Sequence, residues 1–593
     1  MLSRVYQDLK EALENEAKQV RRVMQERLAE PIQKRVERGR CIASVRVDEI
    51  KEIRHDEFFE RILILSCEVN DSEFREGDLV CLHDGDPLLR RTEAVWCRES
   101  EMGFGRHSKI WLRLTRSHGG HEVSAGASYV LDVAWIDLFE MQSRALEACS
   151  SSERGRDRIL PLFDEEVPAN CEFDPDCFDQ ASAAAETAGF NSSQIEAIAG
   201  GSAAEWFFLV QGPPGTGKTR VLAQIARNRV LLQGQRVLVT AATHRAINEA
   251  LERIRKVLGD EAHVVKIADI LLPKPREVEV FEDFAKSGLQ DVSGGYVVGA
   301  TPYACIGRRL KGLEFDCVVF DEASQMTPIL AILAMLKADR YVFIGDSKQL
   351  PPVLASVPSG EAAGHSVFRR LEQRRDAVLL DVTYRMHAAI TEWVSQSFYS
   401  CRLTAASMAA DRRYSRRIAC RDEILEKILD PESPLTWVEF PEVAPVDYAK
   451  EEVVLIGSVV AALLGGGVRP DSIGVVTPFR RHARRIARRL AALEGRLSVG
   501  GPDVLVDTVE RFQGQERDVI VIATGIAERH RIDALAEFLL LPQRLNVAVS
   551  RARMKVIVVA AAEFVRGTPS NSDEAEWMEH WRSLRSVSAQ ILV

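Results

Sequence analysis

Hydrophobic positions recur at two different periods along this chain, and the change of period marks its parts. Over residues 3–30 the apolar positions Val5, Leu9, Leu13, Val20, Met24 and Leu28 fall at steps of four with one of seven. That spacing predicts a long amphipathic helix, stopped near Pro31 because proline has no N–H to continue the ladder. From Cys41 the period falls to two, and CIASVRVDEI, RILILSCEV, DLVCLHDG, IWLRLTR and SYVLDVAWI read as short strands with polar or glycine turns between them. Alternating strands this dense, within about a hundred residues, predict a small antiparallel barrel. A second helix, WIDLFEMQSRALEAC, then leads into SSSERGRDR, a polar connector.

Beyond residue 187 unbroken apolar runs replace the alternation. WFFLV, RVLVTA, CVVF, YVFI and AVLLDV alternate with helix-length segments, and LTWVEF, SIGVVT, DVLVDT, DVIVIA and KVIVV repeat the arrangement. Strands covered on both faces read as continuous hydrophobic runs, so the class is α/β with two doubly wound parallel-sheet domains. The boundary between them falls near residue 375. The longest uncharged run, VVLIGSVVAALLGGGV (453–468), lies between Glu452 and Arg469 and ends in glycines. It is shorter than the roughly 20 residues a membrane span requires, so it predicts a core-packed helix with a glycine stop.

Composition changes this picture little. A chain of 593 residues with 46% hydrophobic and 28% charged content is expected to be soluble and built of several domains. Net charge is −10, so no global basic field advertises a polyanion, although a binding groove is set by local charge. The 11 cysteines include no CxxC pair, and Cys171 and Cys177 lack the histidine companions of a metal site. Free thiols in a reducing compartment are expected. The opening MLSRVYQDLKEALENEAK is charged at once and carries no secretory pattern, which points to a cytoplasmic protein without a membrane partner.

The chemistry begins at WFFLVQGPPGTGKTRVLAQIA, where G-x-x-x-x-G-K-T runs from Gly212 to Thr219 between a predicted strand and helix. In that setting the backbone N–H groups of the loop and helix start would cradle phosphates, over the nucleotide-binding stretch Gly212, Pro213, Gly215, Thr216 and Gly217. Lys218 would reach the β and γ oxygens and Thr219 would hold Mg²⁺, making ATP the expected cofactor. CVVFDEASQM then places Asp321 at a strand end, where a carboxylate can hold the metal, and Glu322 beside it to deprotonate an attacking water. Gln349, in FIGDSKQLPPV, would lie near the γ-phosphate. Gln194, in NSSQIEAIAG, would offer an amide donor and acceptor to adenine.

QGPPGTGKT, DEAS, GDSKQLPPV, TYRMH, VDTVERFQGQERDVIVIA and LNVAVSRAR follow one another in the order and spacing of superfamily 1B helicases. The chain most resembles the group of the nonsense-mediated-decay helicase and the immunoglobulin-mu-binding helicase, over roughly residues 190–560. The resemblance implies two RecA-like P-loop domains, at 187–375 and 376–593, with ATP between them. It also implies an N-terminal stalk helix (1–40), an accessory barrel (41–140) and a return helix with linker (141–186).

By the same resemblance Arg385 and Arg551 reach the phosphates from the second domain, Arg551 as an arginine finger, and Glu516 couples that domain to the nucleotide. Arg553 is then structural or faces nucleic acid. Thr243, Thr301, Thr477 and Thr508 fall where the family contacts the backbone of single-stranded nucleic acid. Small hydroxyls suit that task because they grip phosphate without reading sequence. FRRHARRIARRL places six arginines between Arg480 and Arg489, for nucleic acid, an acidic neighbour or solvent, and DRRYSRR (411–417) invites the same readings.

The chain departs from the family pattern at Thr383 (usually Gln), Ala388 (usually Pro), Ser347 (usually Pro) and His482 (usually Gln). None of these removes a charged group. The segment between THRAINEALERI and GGYVVGATPY is short where larger relatives insert a helical subdomain, which bears on strand separation. The expected function is an ATP-dependent helicase or translocase on single-stranded RNA or DNA, moving 5′ to 3′, with protein partners in repair, RNA turnover or defence. The rival is an ATP-gated clamp or scaffold that holds nucleic acid without separating strands.

Overall fold

The computed structural model describes the chain from residue 4 to 593, apart from residues 55–58, 69, 71, 75–76, 89, 103–106, 119–120, 169–170, 270–272, 359–360, 415–417, 419, 421, 442–444, 495–503, 568 and 570. It divides into two compact units: Glu14–Glu140, and Met1–Leu13 together with Met141–Val593. The helix Arg4–Ala29 ends just ahead of Pro31, as its spacing predicts.

Within Glu14–Glu140 the strands β1 (Cys41–Arg54), β2 (Phe59–Cys67), β3 (Leu79–His83), β4 (Arg91–Met102), β5 (His107–His118) and β6 (Ser128–Val133) close a barrel in the order β1-β2-β5-β4-β3-β6. Alternate residues fill it, among them Val45, Val47, Leu63, Leu65, Trp96, Ile110 and Leu112. Strand β4 is the one the alternation does not announce. Its sequence RTEAVWCRESEM is mostly polar, yet it pairs with β5 through two register shifts that swing Ala94 and Trp96 inward.

The larger unit holds two parallel sheets. The first contains β7 (Phe207–Gln211), β8 (Arg236–Thr240), β9 (Val264–Ile267), β10 (Glu279–Phe281), β11 (Tyr296–Gly299), β12 (Cys317–Phe320), β13 (Arg340–Gly345) and β14 (Val378–Leu379). Their order is β10-β9-β11-β8-β12-β13-β7-β14. Strands β9, β10 and β11 go beyond the apolar runs, being only three or four residues long, and β9 and β10 occupy the short segment before GGYVVGATPY. Strand β14 pairs with β7, so this sheet draws on chain beyond residue 375.

A two-stranded ladder, β15 (Val382–Thr383) with β16 (Thr404–Ala405), follows. The second sheet has the order β19-β18-β20-β21-β17-β22, from β17 (Leu435–Phe440), β18 (Ile473–Thr477), β19 (Leu505–Thr508), β20 (Arg517–Ala523), β21 (Ala552–Ala561) and β22 (Ala589–Leu592). Both sheets are buried on two faces, which is why their central strands are unbroken apolar runs.

The helix Pro445–Gly465 packs Ile456, Val459, Val460 and Leu463 into the core, and the left-handed Gly467 (φ +86°) follows its end. No helix among the described residues is long and apolar enough to cross a membrane. The expected polar connector SSSERGRDR is instead helical. Helix Phe139–Ser151 runs nearly into a π turn at Gly155–Ile159, where a Cβ on Gly155 would lie 1.7 Å from the Cys149 carbonyl oxygen. Arg154 fixes this turn by ion pairs to Asp339 (2.7 Å) and Glu314 (2.5 Å). At the other end of the unit's chain, Asp8 is a countercharge of the half-buried Arg370 guanidinium.

Candidate active site

The loop after β7 turns into the helix Lys218–Leu231 through two left-handed glycines, Gly215 (φ +74°) and Gly217 (φ +86°). A side chain is resisted at both, since the left-handed region costs an L-residue roughly 1–2 kcal/mol. Lys218 folds over Gly212, where a Cβ would come within 2.0 Å of its Cγ, and its ammonium donates to the Gly212 carbonyl at 2.6 Å. Thr216 closes the turn by donating to Pro213 O at 2.8 Å, and Thr219 lies half-buried in the first helical turn.

Asp321 and Glu322 follow β12. Asp321 is 5% exposed and its carboxyl is pushed up by burial and by neighbouring Glu322, with Lys218 acting in the opposite direction. Glu322 stands in the left-handed region (φ +50°), uncommon for a side chain of its size and a mark of local backbone strain. Its N–H donates to Asp321 Oδ1 (2.9 Å), and its carboxylate accepts from Gln325 (3.1 Å) and from Gln513 (3.3 Å), which leads into β20 of the second sheet. Oxygen donors at Thr219 and Asp321 fit Mg²⁺, which takes one or two protein oxygens and completes its shell with water and phosphate. No group of three His, Cys, Asp or Glu among the described residues could hold a metal by protein ligands alone.

The arginines expected from the second domain are here. Arg551 is 2% exposed between β20 and β13; its Nε donates to Val547 O (3.0 Å) and its Nη2 to Gln349 Oε1 (3.4 Å). Burial and the nearby Arg385 charge pull its pKa down to about 9. Arg385 donates to Glu516 Oε2 (2.6 Å) and Ser550 O (3.0 Å). Glu516 also accepts from Arg553 (2.6 Å), so although burial raises its pKa, Arg385 and Arg553 more than offset this and hold it at about 2. Arg553 completes its bonding with Asp518 (3.0 Å), which gives it a structural role in this arrangement.

The P-loop is further held by residues that the motif reading noted only as departures or not at all. Thr383, in the place of the usual glutamine, donates from its hydroxyl to Pro214 O at 2.8 Å, and Tyr384 N–H donates to Gly215 O at 2.8 Å. Asn191 donates to the Tyr384 hydroxyl at 2.9 Å. His482, the other polar replacement, is buried with Nε2 2.6 Å from Glu452 Oε2.

The remaining expected groups differ in how far they are buried or already engaged. Gln194 is 1% exposed; it donates to Thr216 O (2.9 Å) and accepts from Asn191 N–H (3.2 Å) in a capping box, so both ends of its amide are engaged inside the protein instead of being offered to a base. Thr477 and Thr508 face each other at the ends of β18 and β19 and are 0% and 5% exposed, so their hydroxyls are not presented to a strand. Thr243, an exposed helix cap, and the half-buried Thr301 remain accessible. The arginine helix Arg480–Glu494 buries Ala483, Ile486 and Leu490 and exposes Arg480, Arg481, Arg485 and Arg488 along one outward arc. In DRRYSRR, Arg413 pairs with Glu432 and Arg412 donates to Arg385 O, while residues 415–417 lie outside the described residues.

Two AAA domain families match the chain, AAA_11 over residues 189–278 and 290–357 and AAA_12 over residues 363–563. Among curated proteins, the chain is 27% identical over 457 residues to the DNA replication ATP-dependent helicase/nuclease DNA2 of Xenopus laevis, covering 70% of this chain and 41% of that one. It is 25% identical over 566 residues to the protein of the same name from Gallus gallus, covering 91% and 53%. The chain thus spans about half the length of these relatives, or less. The arterivirus nonstructural protein 10 helicase matches at 13% identity over 90% of this chain and 80% of that one, with a TM-score of 0.37, too low to bear on the fold. The two matched AAA domain families fall on the regions of the two parallel sheets that carry the P-loop, Asp321, Arg385 and Arg551.

Proposed function

We propose that this chain is an ATP-driven motor on single-stranded nucleic acid, built on two RecA-like domains that close over ATP. The observation that carries the reading is the meeting of two complementary halves. The P-loop, Asp321, Glu322 and Gln349 come from the first sheet, while Arg551 and Glu516 come from the second and Arg385 from the segment after β15 that bonds to Glu516, joined by the Glu322–Gln513 and Gln349–Arg551 contacts. Hydrolysis between two domains can drive stepping because closing assembles the charge-stabilising groups and product release undoes them.

In this reading Lys218 leaves the Gly212 carbonyl for the β and γ oxygens, and the N–H groups of Gly215, Thr216 and Gly217 cradle the phosphates, while Gly212, whose own N–H donates to Gly345 O (2.9 Å), and Pro213 shape the loop. Thr219 and Asp321 would hold Mg²⁺, which neutralises phosphate charge when bound. Glu322 takes the proton of the attacking water, and Gln349 lies beside the transferring group. Arg551 and Arg385 spread their charge over its equatorial oxygens, which guanidinium geometry suits. Glu516 orients Arg385, and Gln194 acts by shaping the P-loop through Thr216. Thr243 and Thr301 are the hydroxyls available to a strand backbone.

The remaining assignments rest on the motif strings. They favour the group of the nonsense-mediated-decay and immunoglobulin-mu-binding helicases, 5′-to-3′ movement, RNA or DNA as track, and a helical stalk with the barrel as accessory domain. The proposed domains are 1–40, 41–140, 141–186, 187–375 and 376–593, in an intracellular protein acting with partners in repair, RNA turnover or defence.

The test is the ATPase rate of the purified chain, alone and with single-stranded DNA or RNA of equal length. Stimulation by one polymer supports the motor and names its track, whereas a rate that neither polymer changes transfers the reading to the ATP-gated clamp. Glu322→Gln should retain ATP and strand binding and lose turnover by about 10²–10⁴-fold; normal turnover would remove Glu322 from its role.

A further inference from the structure

The residues assigned to the nucleotide touch the second domain through one buried ring of hydrogen bonds, and the motif roles leave half of that ring unexplained. Asp346, 0% exposed, accepts at Oδ2 from Gln349 Nε2 (2.7 Å) and from the Tyr399 hydroxyl (2.7 Å). Tyr399 accepts in turn from Asn546 Nδ2 (3.0 Å), and the same amide donates to Lys348 O (2.7 Å). Asn546 lies on the helix Pro542–Val549, which leads directly to Arg551, and Arg551 returns to Gln349. The ring therefore joins the loop after β13 to two separate elements of the second domain. Leu350, next to Gln349, packs into that domain's apolar core with Met386, Ile390 and Leu545.

The second domain also constrains the chain around Tyr399. The residue caps the helix Ala388–Phe398 and is followed by Ser400 (φ +53°) and Cys401 (φ +60°), two consecutive non-glycine residues in the left-handed region. Such a pair is unfavourable unless its surroundings over-determine it. Ser395 does so, accepting from Cys401 N–H (3.0 Å) through its carbonyl and from Leu403 N–H (2.9 Å) through its hydroxyl. The turn thus directs a buried phenol at a buried carboxylate in the other sheet's loop.

We propose that Tyr399 and Asn546 are positioning residues that report the occupant beside Gln349 to the second domain, so that cleft closure depends on the Tyr399 hydroxyl bridging Asp346 and Asn546. The inference deepens the motor reading and rests on it. Gln349 has one amide: its Nε2 is held by Asp346 and its Oε1 faces Arg551. A γ-phosphate that draws Gln349 or Arg551 shifts Asp346, and with it the Tyr399–Asn546 pair. Because the side chains of Asp346, Gln349, Tyr399, Asn546 and Arg551 are all buried, water cannot replace a lost partner among them without opening the interface.

The experiment measures ATP turnover and single-strand affinity in the full chain. Tyr399→Phe removes one oxygen and keeps the ring. Its strand-stimulated kcat should fall about tenfold with the KM for ATP within about twofold, the pattern of a contact made only in the closed state. Strand affinity should no longer differ between a non-hydrolysable ATP analogue and ADP. Asn546→Ala should do the same, and the double variant should be no worse than either single, since both break one ring. Turnover and nucleotide-dependent affinity like those of the unaltered chain would overturn the proposal. So would additive losses accompanied by a lowered melting temperature, which mark a merely structural role. Should the unaltered chain not respond to single strands, the motor reading falls by itself; the ring is then judged on basal turnover, where Tyr399→Phe must still lower kcat at constant KM.

Discussion

Gly215 is where the P-loop's backbone geometry and its contact with the second domain coincide, and replacing it by alanine tests both. A Cβ there would lie 2.4 Å from Arg385 Cβ and 2.6 Å from Thr383 Oγ1, where ordinary contact is 3.4–4 Å. The β15 segment must therefore withdraw by about 1 Å, which carries the Thr383–Pro214 and Tyr384–Gly215 hydrogen bonds, both 2.8 Å, beyond bonding range. At about 1 kcal/mol for each bond, the closed arrangement loses about 2 kcal/mol, or roughly thirtyfold in population. The left-handed backbone adds a cost of its own, and Gly234→Ala is the control, since Gly234 is also left-handed (φ +64°) with nothing within 4 Å of its Cβ. ATPase kcat/KM and a fluorescence distance between labels on the two sheets are the assays. The expected result is a roughly thirtyfold deficit of Gly215→Ala relative to Gly234→Ala, together with a longer inter-label distance. Equal behaviour of the two variants would refute the clasp.

Arg551→Ala should lower kcat by about 10³-fold or more while the KM for ATP changes far less, because its charge acts on the transferring phosphoryl; equal losses in both would reduce Arg551 to a binding group. Glu516→Gln should destabilise the chain by about 1 kcal/mol at neutral pH, a modest figure because part of the carboxylate is exposed to screening solvent. Its folded pKa of about 2 lies below the usual 4.5, so the stabilisation is complete above pH 4.5 and fades as pH falls toward 2. Melting curves of the two proteins should therefore converge on acidification, and a constant gap would show that the ion pairs are not its source.

The P-loop, the paired acids at the end of β12 and the arginines before β21 were legible because each is a contiguous string whose chemistry requires a fixed spacing. The barrel was legible from alternation except at β4, where bulges and polar residues break the period. Strands β9 and β10 escaped because VVKI and EVF each carry a charged residue in a run of only four or three, which breaks the apolar pattern that betrays the equally short β12. What the sequence could not disclose is which side chains spend their hydrogen bonds internally. Gln194 and Thr477 have suitable types at suitable positions, yet one is consumed by a capping box and the other is enclosed at a strand end. Tyr399 is the converse case: an unremarked tyrosine acquires a role only when folding brings it to Asp346, 53 positions away.

The membership of Met1–Leu13 in the same unit as Met141–Val593 also orders events during synthesis. Val5, Tyr6, Leu9 and Leu13 are buried, and Asp8 faces an arginine at position 370. At about 5–20 residues per second, the ribosome delivers Arg370 roughly 20–70 s after Asp8. During that interval the barrel, which needs only residues 41–133, can close, while the apolar stripe ahead of it has no surface to cover it. This helix is thus a nascent segment that must be shielded, and a chaperone acting on this chain would be expected to engage it during that interval.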